Sequence, residues 1–156
     1  MLDNQLMNVT IKDQPELRVA GVRHIGPYHE IGRAFARIGS LAGAHLARGS
    51  RMIGIFHDDP ESTAPDQLRS DAAITLPGNA SGPDGLVEQR IPAGRYAHVL
   101  HKGGYEGLPG AWTALKQEWL PKSGHRMSGP SYELYLNDPS STPKADLLTE
   151  IYMRLA

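Results

Sequence analysis

The 156-residue sequence contains no cysteine. That absence removes disulfide cross-links, thiolate nucleophiles and zinc sites built on sulfur, and it leaves the redox compartment unmarked. No apolar run approaches the roughly 18 residues of a membrane-spanning helix. The start, Met-Leu-Asp-Asn-Gln, has neither the basic nor the apolar region of a secretory signal, so the cytoplasm is the expected compartment. Charge of one sign is also missing, since 16 Lys and Arg stand against 17 Asp and Glu for a net charge of -1. DNA, RNA and anionic membranes therefore have no strong electrostatic claim as partners. Lys102-Gly103-Gly104 lacks the spacing of a phosphate-binding loop, and no serine sits in a G-x-S-x-G setting. Neither a metal nor a cofactor is expected. What remains is an ordinary globular composition, 40% apolar and 21% charged, in a chain long enough to bury one substantial core.

What the chain does have is a duplication. Pro15, Ala20, His24, Gly26, Tyr28 and Ala34 recur 77 residues later as Pro92, Ala97, His101, Gly103, Tyr105 and Ala111. The helical stretches follow in register, with Phe35 over Trp112 and Ile38 over Leu115. Asp59, Pro60, Ser62, Thr63 and Leu68 recur 79 residues later as Asp138, Pro139, Ser141, Thr142 and Leu147. Two copies are too few for a solenoid, which needs three or more stacked units to bury a core. The expectation is a single domain with a first repeat at about 8–76, a linker at about 77–85 and a second repeat at about 86–155. Such a pair has a pseudo-twofold axis, and a groove along that axis is a natural ligand site.

Within the first repeat, Asn8 to Lys12 alternates apolar and polar residues and ends at a proline turn, as a strand does. Arg18 to Ile25 reads as a second strand, ended by Gly26-Pro27. Ile31, Phe35, Ile38, Ala42 and His45 or Leu46 then share one face of a helix from about His29 to Ala47. Strands follow at Met52 to Phe56 and Ala72 to Leu76, separated by a polar loop. The second repeat gives strands at Leu86 to Ile91 and Tyr96 to His101. Its helix runs from about Leu108 to Trp119 and is stopped by Pro121, which cannot donate the next helical hydrogen bond. Strands at Ser131 to Asn137 and Leu147 to Leu155 complete it. The fold class is α+β, two pseudosymmetric βαββ-type modules with antiparallel sheet and two main helices, and a ligand groove between the halves.

The copies differ most usefully at Ser131 to Asn137. Side chains alternate across a strand, so Glu133, Tyr135 and Asn137 share one face while Tyr132, Leu134 and Leu136 share the apolar one. Glu133 then points to solvent or into the groove. Gly54 stands at the equivalent place in the first copy, with Phe56 matching Tyr135, which suggests space on one side of a groove and negative charge on the other. A carboxylate in an aromatic groove needs compensation, because desolvating a charge costs several kcal/mol unless it is paired. A cationic ligand would supply it, aided by cation-π attraction of about 0.5 to 2 kcal/mol per good contact. The candidate cage is Tyr28, Tyr105, Phe56, Tyr135 and Trp112; the competing reading is a solvated carboxylate and core rings. His24 and His101 could meet only if their strands join at the axis. His57-Asp58-Asp59 could form a base with a carboxylate, but Asp-Pro is turn chemistry and recurs at Asp138-Pro139.

At these residues the chain resembles the GyrI-like small-molecule-binding family, also seen as the effector-binding domain of multidrug-sensing transcription regulators. The matching segments include Val19 to Tyr28, Gly54 to Pro60, Leu68 to Asp71, Ile91 to Ala97, Gly103 to Leu108 and Tyr132 to Pro139, in order over nearly the whole chain. The resemblance implies two tandem strand-helix-strand-strand modules around a groove. It also implies that Glu133, at the family's acidic position in Tyr-Glu-x-Tyr, faces that groove and attracts lipophilic cations. In the regulators this domain is joined to a helix-turn-helix. None is expected before Asn8, so direct DNA recognition is not carried over. Three functions follow as expectations: a stand-alone binder of amphipathic or cationic aromatic compounds, a hydrolase of strained electrophilic toxins using Glu133, or a protein partner role such as gyrase inhibition.

Overall fold

Strand alternation and helical periodicity place the elements, and the pairing between strands interlocks the two halves. The computed structural model describes residues 8–156. The strands are β1 (Thr10–Gln14), β2 (Leu17–Ile25), β3 (Met52–Phe56), β4 (Arg69–Thr75), β5 (Val87–Ile91), β6 (Gly94–Lys102), β7 (Ser131–Tyr135) and β8 (Leu148–Arg154). Helix α1 (Gly32–Ala47) joins β2 to β3. Between β6 and β7 run α2 (Leu108–Ala114), a π segment (Leu115–Trp119) and α3 (Leu120–Ser123).

All eight strands form one antiparallel sheet in the order β1-β6-β8-β7-β3-β4-β2-β5. Read inward from its two edges, the order meets equivalent strands at each step, so the pseudo-twofold axis passes between β7 and β3. The first strand of each half leaves its own half. β1 pairs with β6, from Thr10↔His98 to Gln14↔Gly94, and β5 pairs with β2, from Leu17↔Ile91 to Gly21↔Val87. The α+β class and the two main helices are as expected; the exchange of edge strands is what the repeat did not disclose. Its cause is local. A two-residue hairpin needs positive φ in its loop, whereas the links Pro15-Glu16 and Pro92-Ala93 each begin with a proline locked near -65°. The chain cannot fold back on itself there and runs on to the other half.

The sheet has two apolar faces. On one, Ala34, Ile38 and Ala42 of α1, four residues apart, pack on Ala20, Ala72, Ile74 and Leu76. The second helical stretch covers the same face with Leu108 and Leu115 against Ala97, Ile151, Met153 and Leu155. The other face carries no helix, and its core is Val19, Ile53, Ile55, Ile91, Tyr96, Tyr132 and Tyr152. Tyr132 is thus in a core, on the face expected for it.

Pro121 does not stop the second helix, contrary to expectation. The helix continues to Ser123 and ends at Gly124, whose φ of 79° is the left-handed conformation of a C-terminal glycine. The π segment immediately before the proline explains this. Leu120 N–H bonds back five residues to the Leu115 carbonyl, and the widened turn accommodates a ring that would collide with the carbonyl of a regular α-turn. Shifts elsewhere are smaller: β4 starts at Arg69 rather than Ala72, β7 ends at Tyr135 rather than Asn137, and α1 is preceded by a 3-10 turn at Tyr28–Glu30. Among the described residues no helix is long and apolar enough to cross a membrane.

Candidate functional site

The central strand pair β3–β7 sets Gly54 directly opposite Glu133, on the face that the helices cover. Glu133 is only 5% exposed. Its Oε2 accepts a hydrogen bond from Trp112 Nε1 at 2.6 Å, and its Oε1 accepts one from the Tyr135 hydroxyl at 2.6 Å. The sequence explains both contacts. Tyr135 lies two residues along β7, hence on the same face, and Trp112 lies on α2, which packs over β8 and β7.

Six rings meet over this pair in two related rows. In the first, Tyr28 packs edge-on to Phe56 at 4.9 Å between centroids, and Phe56 to Trp112 at 6.2 Å. In the second, Tyr105 packs edge-on to Tyr135 at 5.5 Å, and Tyr135 to Phe35 at 5.5 Å. Each row joins the corner tyrosine and strand ring of one half to the helix ring of the other. All five rings proposed from sequence are therefore brought together, and Phe35 is a sixth that was missed. Its signal was available, because Phe35 is the repeat counterpart of Trp112. Tyr28 sits at the outer end of its row, with its hydroxyl donating to the Asp58 carbonyl at 2.7 Å. The space expected opposite Glu133 is filled: a Cβ built on Gly54 would stand 3.0 Å from the Tyr135 hydroxyl and 3.6 Å from Phe35.

Burial pushes the Glu133 carboxyl above its ordinary pKa, and the hydrogen bonds from Tyr135 and Trp112 only partly oppose that. Tyr135 is pushed well up, by burial and then by the neighbouring Glu133 charge. Tyr105 is raised by burial, with Asp138 and Glu133 adding to it. Among the described residues no lysine or arginine pairs with Glu133; both of its partners are neutral donors.

A cation of the second half reaches the loop of the first half beside these rings. Lys116, in the π segment of the second half, reaches Asp59 Oδ1 at 2.8 Å and Glu61 at 3.3 Å in the loop of the first half. Asp59 also organises the expected turn, accepting from Glu61 N–H at 2.9 Å. Lys116 was not singled out from sequence, because its repeat counterpart is Gly39 and nothing local announces a contact 57 residues away.

Four histidines go to structural partners. His24 donates to the Pro27 carbonyl at 3.1 Å and His101 to the Gly104 carbonyl at 3.0 Å, each closing its own turn on strands at opposite ends of the sheet. His98 meets Glu150 at 2.7 Å on the helix-free face. His57 pairs not with its neighbours Asp58 or Asp59 but with Asp71, at 2.5 Å. Among the described residues no group of three or more His, Asp or Glu could hold a metal ion.

Comparison with known proteins places this geometry in context. The model of the GyrI-like small molecule binding domain matches residues 7–156. A DNA gyrase inhibitor of Serratia proteamaculans is 34% identical over 150 residues, covering 90% of this chain and 94% of its own. The DNA gyrase inhibitor of Escherichia coli K12 is 25% identical over 137 residues, covering 85% and 87%. The solved C-terminal domain of EcmrR superposes with a TM-score of 0.73 at 22% identity, covering 97% of this chain and 98% of that one. A solved structure of SAV2435 bound to tetraphenylphosphonium superposes at 0.72 with 15% identity, covering 96% and 94%. Those two likenesses establish the shared fold.

Proposed function

The chain belongs to the GyrI-like small-molecule-binding family, and on that premise we propose that it binds lipophilic aromatic cations over the β3–β7 pair, in sequestration or sensing of xenobiotics. Glu133 is the counter-charge, and Tyr135, Tyr28, Tyr105, Phe56 and Trp112 form the cage. The observation that carries this reading is a buried carboxylate held only by neutral donors. Two such bonds offset part of its desolvation; an arriving cation offsets the rest, and each ring face adds about 0.5 to 2 kcal/mol. SAV2435, of the same fold, is bound to a cation of this kind, which supports the choice of ligand class. Binding exchanges the indole N–H of Trp112 for the ligand, so the site opens by displacing rings rather than by filling a preformed hole.

The test is a calorimetric and fluorescence titration with tetraphenylphosphonium and its neutral counterpart triphenylphosphine oxide, in wild type and Glu133→Gln. Saturable binding of the cation, weakened in the variant, is expected. Equal affinity for the cation in both proteins would sink the proposal.

A second reading is favoured by a different observation. A relative 34% identical over 94% of its own length is a DNA gyrase inhibitor, which supports inhibition of gyrase by this chain. Supercoiling by purified gyrase should slow as the protein is added; unaltered supercoiling at a large molar excess counts against it. The hydrolase reading rests on Glu133 and Tyr135 as a buried acid and hydroxyl 2.6 Å apart, and product formation from a strained electrophile decides it.

A further inference from the structure

Nearly every buried polar side chain in this sheet is paired. Asp71 accepts three hydrogen bonds, Glu133 two, His98 meets Glu150, and Ser131 accepts the Arg154 N–H. Two hydroxyls are not, and neither is Arg154 Nη1, opposite Tyr96 on the helix-free face. Ser70 Oγ and Thr149 Oγ1 have no hydrogen-bond partner, and both residues are 0% exposed. A buried hydroxyl without a partner costs about 1 to 3 kcal/mol relative to a small apolar replacement. The sheet tolerates such a replacement, since Ala72 and Ala73 follow Ser70 on β4.

The two hydroxyls are the same position in the two halves, 79 residues apart, and their placement is specific. Ser70 lies on β4 between His24 of β2 and Phe56 of β3; Thr149 lies on β8 between His101 of β6 and Tyr135 of β7. Both share the helix-covered face, in register with Ala72 and Ile74 or with Ile151 and Met153. Each therefore stands beside a cage ring, on the floor that the rings cover. Strand carbonyls lie in the plane of the sheet and are used by the ladder, so a hydroxyl standing off that plane finds no local acceptor. Glu133 faces Ile151, which makes Thr149 its diagonal neighbour, about 7 to 8 Å away between Cα atoms. Ser70 is two strands and two residues from Glu133, roughly 12 Å on standard sheet spacings.

We propose that Thr149 and Ser70 are specificity-determining hydroxyls of the groove floor, recognising cations that carry a neutral hydrogen-bonding group about 7 to 12 Å from the charge. This rests on the cationic groove proposed above and adds the second feature its ligands share. The cation meets Glu133, the rings wrap the apolar body, and an amine, hydroxyl or carbonyl on the ligand satisfies Thr149 on one side or Ser70 on the other.

The experiment compares tetraphenylphosphonium, which has no hydrogen-bonding group, with (6-hydroxyhexyl)triphenylphosphonium, whose extended chain places a neutral hydroxyl within that range, in wild type, Thr149→Val, Ser70→Ala and the double variant. Affinity for the hydroxyl-bearing cation is expected to fall about three- to tenfold per engaged hydroxyl, tetraphenylphosphonium affinity to stay within twofold, and the ligand-free melting temperature to hold or rise. Affinity for both cations unchanged, or lowered equally, while wild type binds both, overturns the hydroxyl role and leaves the Glu133 groove standing. Variants that melt earlier and bind both probes less assign the hydroxyls to packing and also overturn it. Failure of wild type to bind either probe removes the groove, and this inference with it.

Discussion

Two carboxylates are buried in this sheet and they are kept in opposite ways. Asp71, 2% exposed on the helix-free face, accepts from Arg23 Nε at 2.7 Å, His57 Nε2 at 2.5 Å and Gln89 Nε2 at 3.0 Å. These partners outweigh its burial and hold its pKa below the ordinary carboxylate range. Glu133, equally buried on the helix side, has two neutral donors, and its pKa rises. The first carboxylate has its compensating charges within the protein and stitches β2, β4 and β5 together across the strand exchange. Among the described residues the second has no charged hydrogen-bond partner, and only the more distant His101 acts on it as a favourable charge. One buried acid is thus held by Arg and His and the other by an indole and a phenol, and that contrast is what the proposed cation site rests on.

The comparison breaks most sharply at Asp71. Asp71→Asn leaves Arg23 and His57 without their shared anion and should cost about 3 kcal/mol of stability, a fall of about 6 to 12 °C in melting temperature for a chain of this size. Cation binding in the surviving folded protein should be unchanged. Glu133→Gln should do the reverse: thermal stability held or raised, and tetraphenylphosphonium affinity reduced about thirtyfold or more. An Asp71 variant that loses binding at full stability would dissolve the distinction.

The two acids also make opposite pH predictions. Glu133 ionises at higher pH in the folded chain than in the unfolded one. Between the ordinary carboxylate range and its raised value the unfolded chain binds fewer protons, so stability falls as pH rises through that window. Asp71 ionises at lower pH when folded; its contribution is full above the ordinary range and is lost as pH falls through its lowered value. Melting curves of wild type against Glu133→Gln should therefore diverge on the alkaline side of that range, with the variant the more stable. Cation affinity should rise with pH through the same window, with proton release measurable in buffers of different ionisation enthalpy.

Smaller effects sharpen the picture at the axis. Gly54→Ala places a methyl 3.0 Å from the Tyr135 hydroxyl, so Tyr135 must shift by a few tenths of an ångström at a cost of about 1 to 2 kcal/mol. Its bond to Glu133 should lengthen, visible as a changed tyrosine hydroxyl proton signal. Lys116→Met removes the ion pair that joins the halves over the site. It should cost under about 1 kcal/mol, as partly exposed pairs do, while speeding ligand association in stopped-flow fluorescence. Unchanged association would assign Lys116 to the loop alone.

Much of the arrangement around Glu133 was legible in the residues. Glu133 against Gly54 was visible as a break in the repeat, and the ring set followed from residues at equivalent corners. Phe35 was within reach of the same logic. What escaped was contact made by long side chains over large separations: Lys116 with Asp59, and His57 with Asp71 instead of with its chain neighbours. The helix through Pro121 escaped for another reason. A proline is a stop signal only for a regular α-turn, and the π segment before it is not encoded by any local pattern of apolar residues.

The sequence by itself determined the duplication, the type and order of the elements, the absence of thiol chemistry and the carboxylate that breaks the symmetry on the central strand. These follow from side-chain periodicity and residue identity, which act within a few turns of chain. Only the tertiary structure decided that β1 and β5 change halves, that the place opposite Glu133 is filled by a phenol, and that Ser70 and Thr149 have no partner. Each of those depends on which surfaces are driven together across some 80 residues of chain, where burial rather than local preference selects the neighbour.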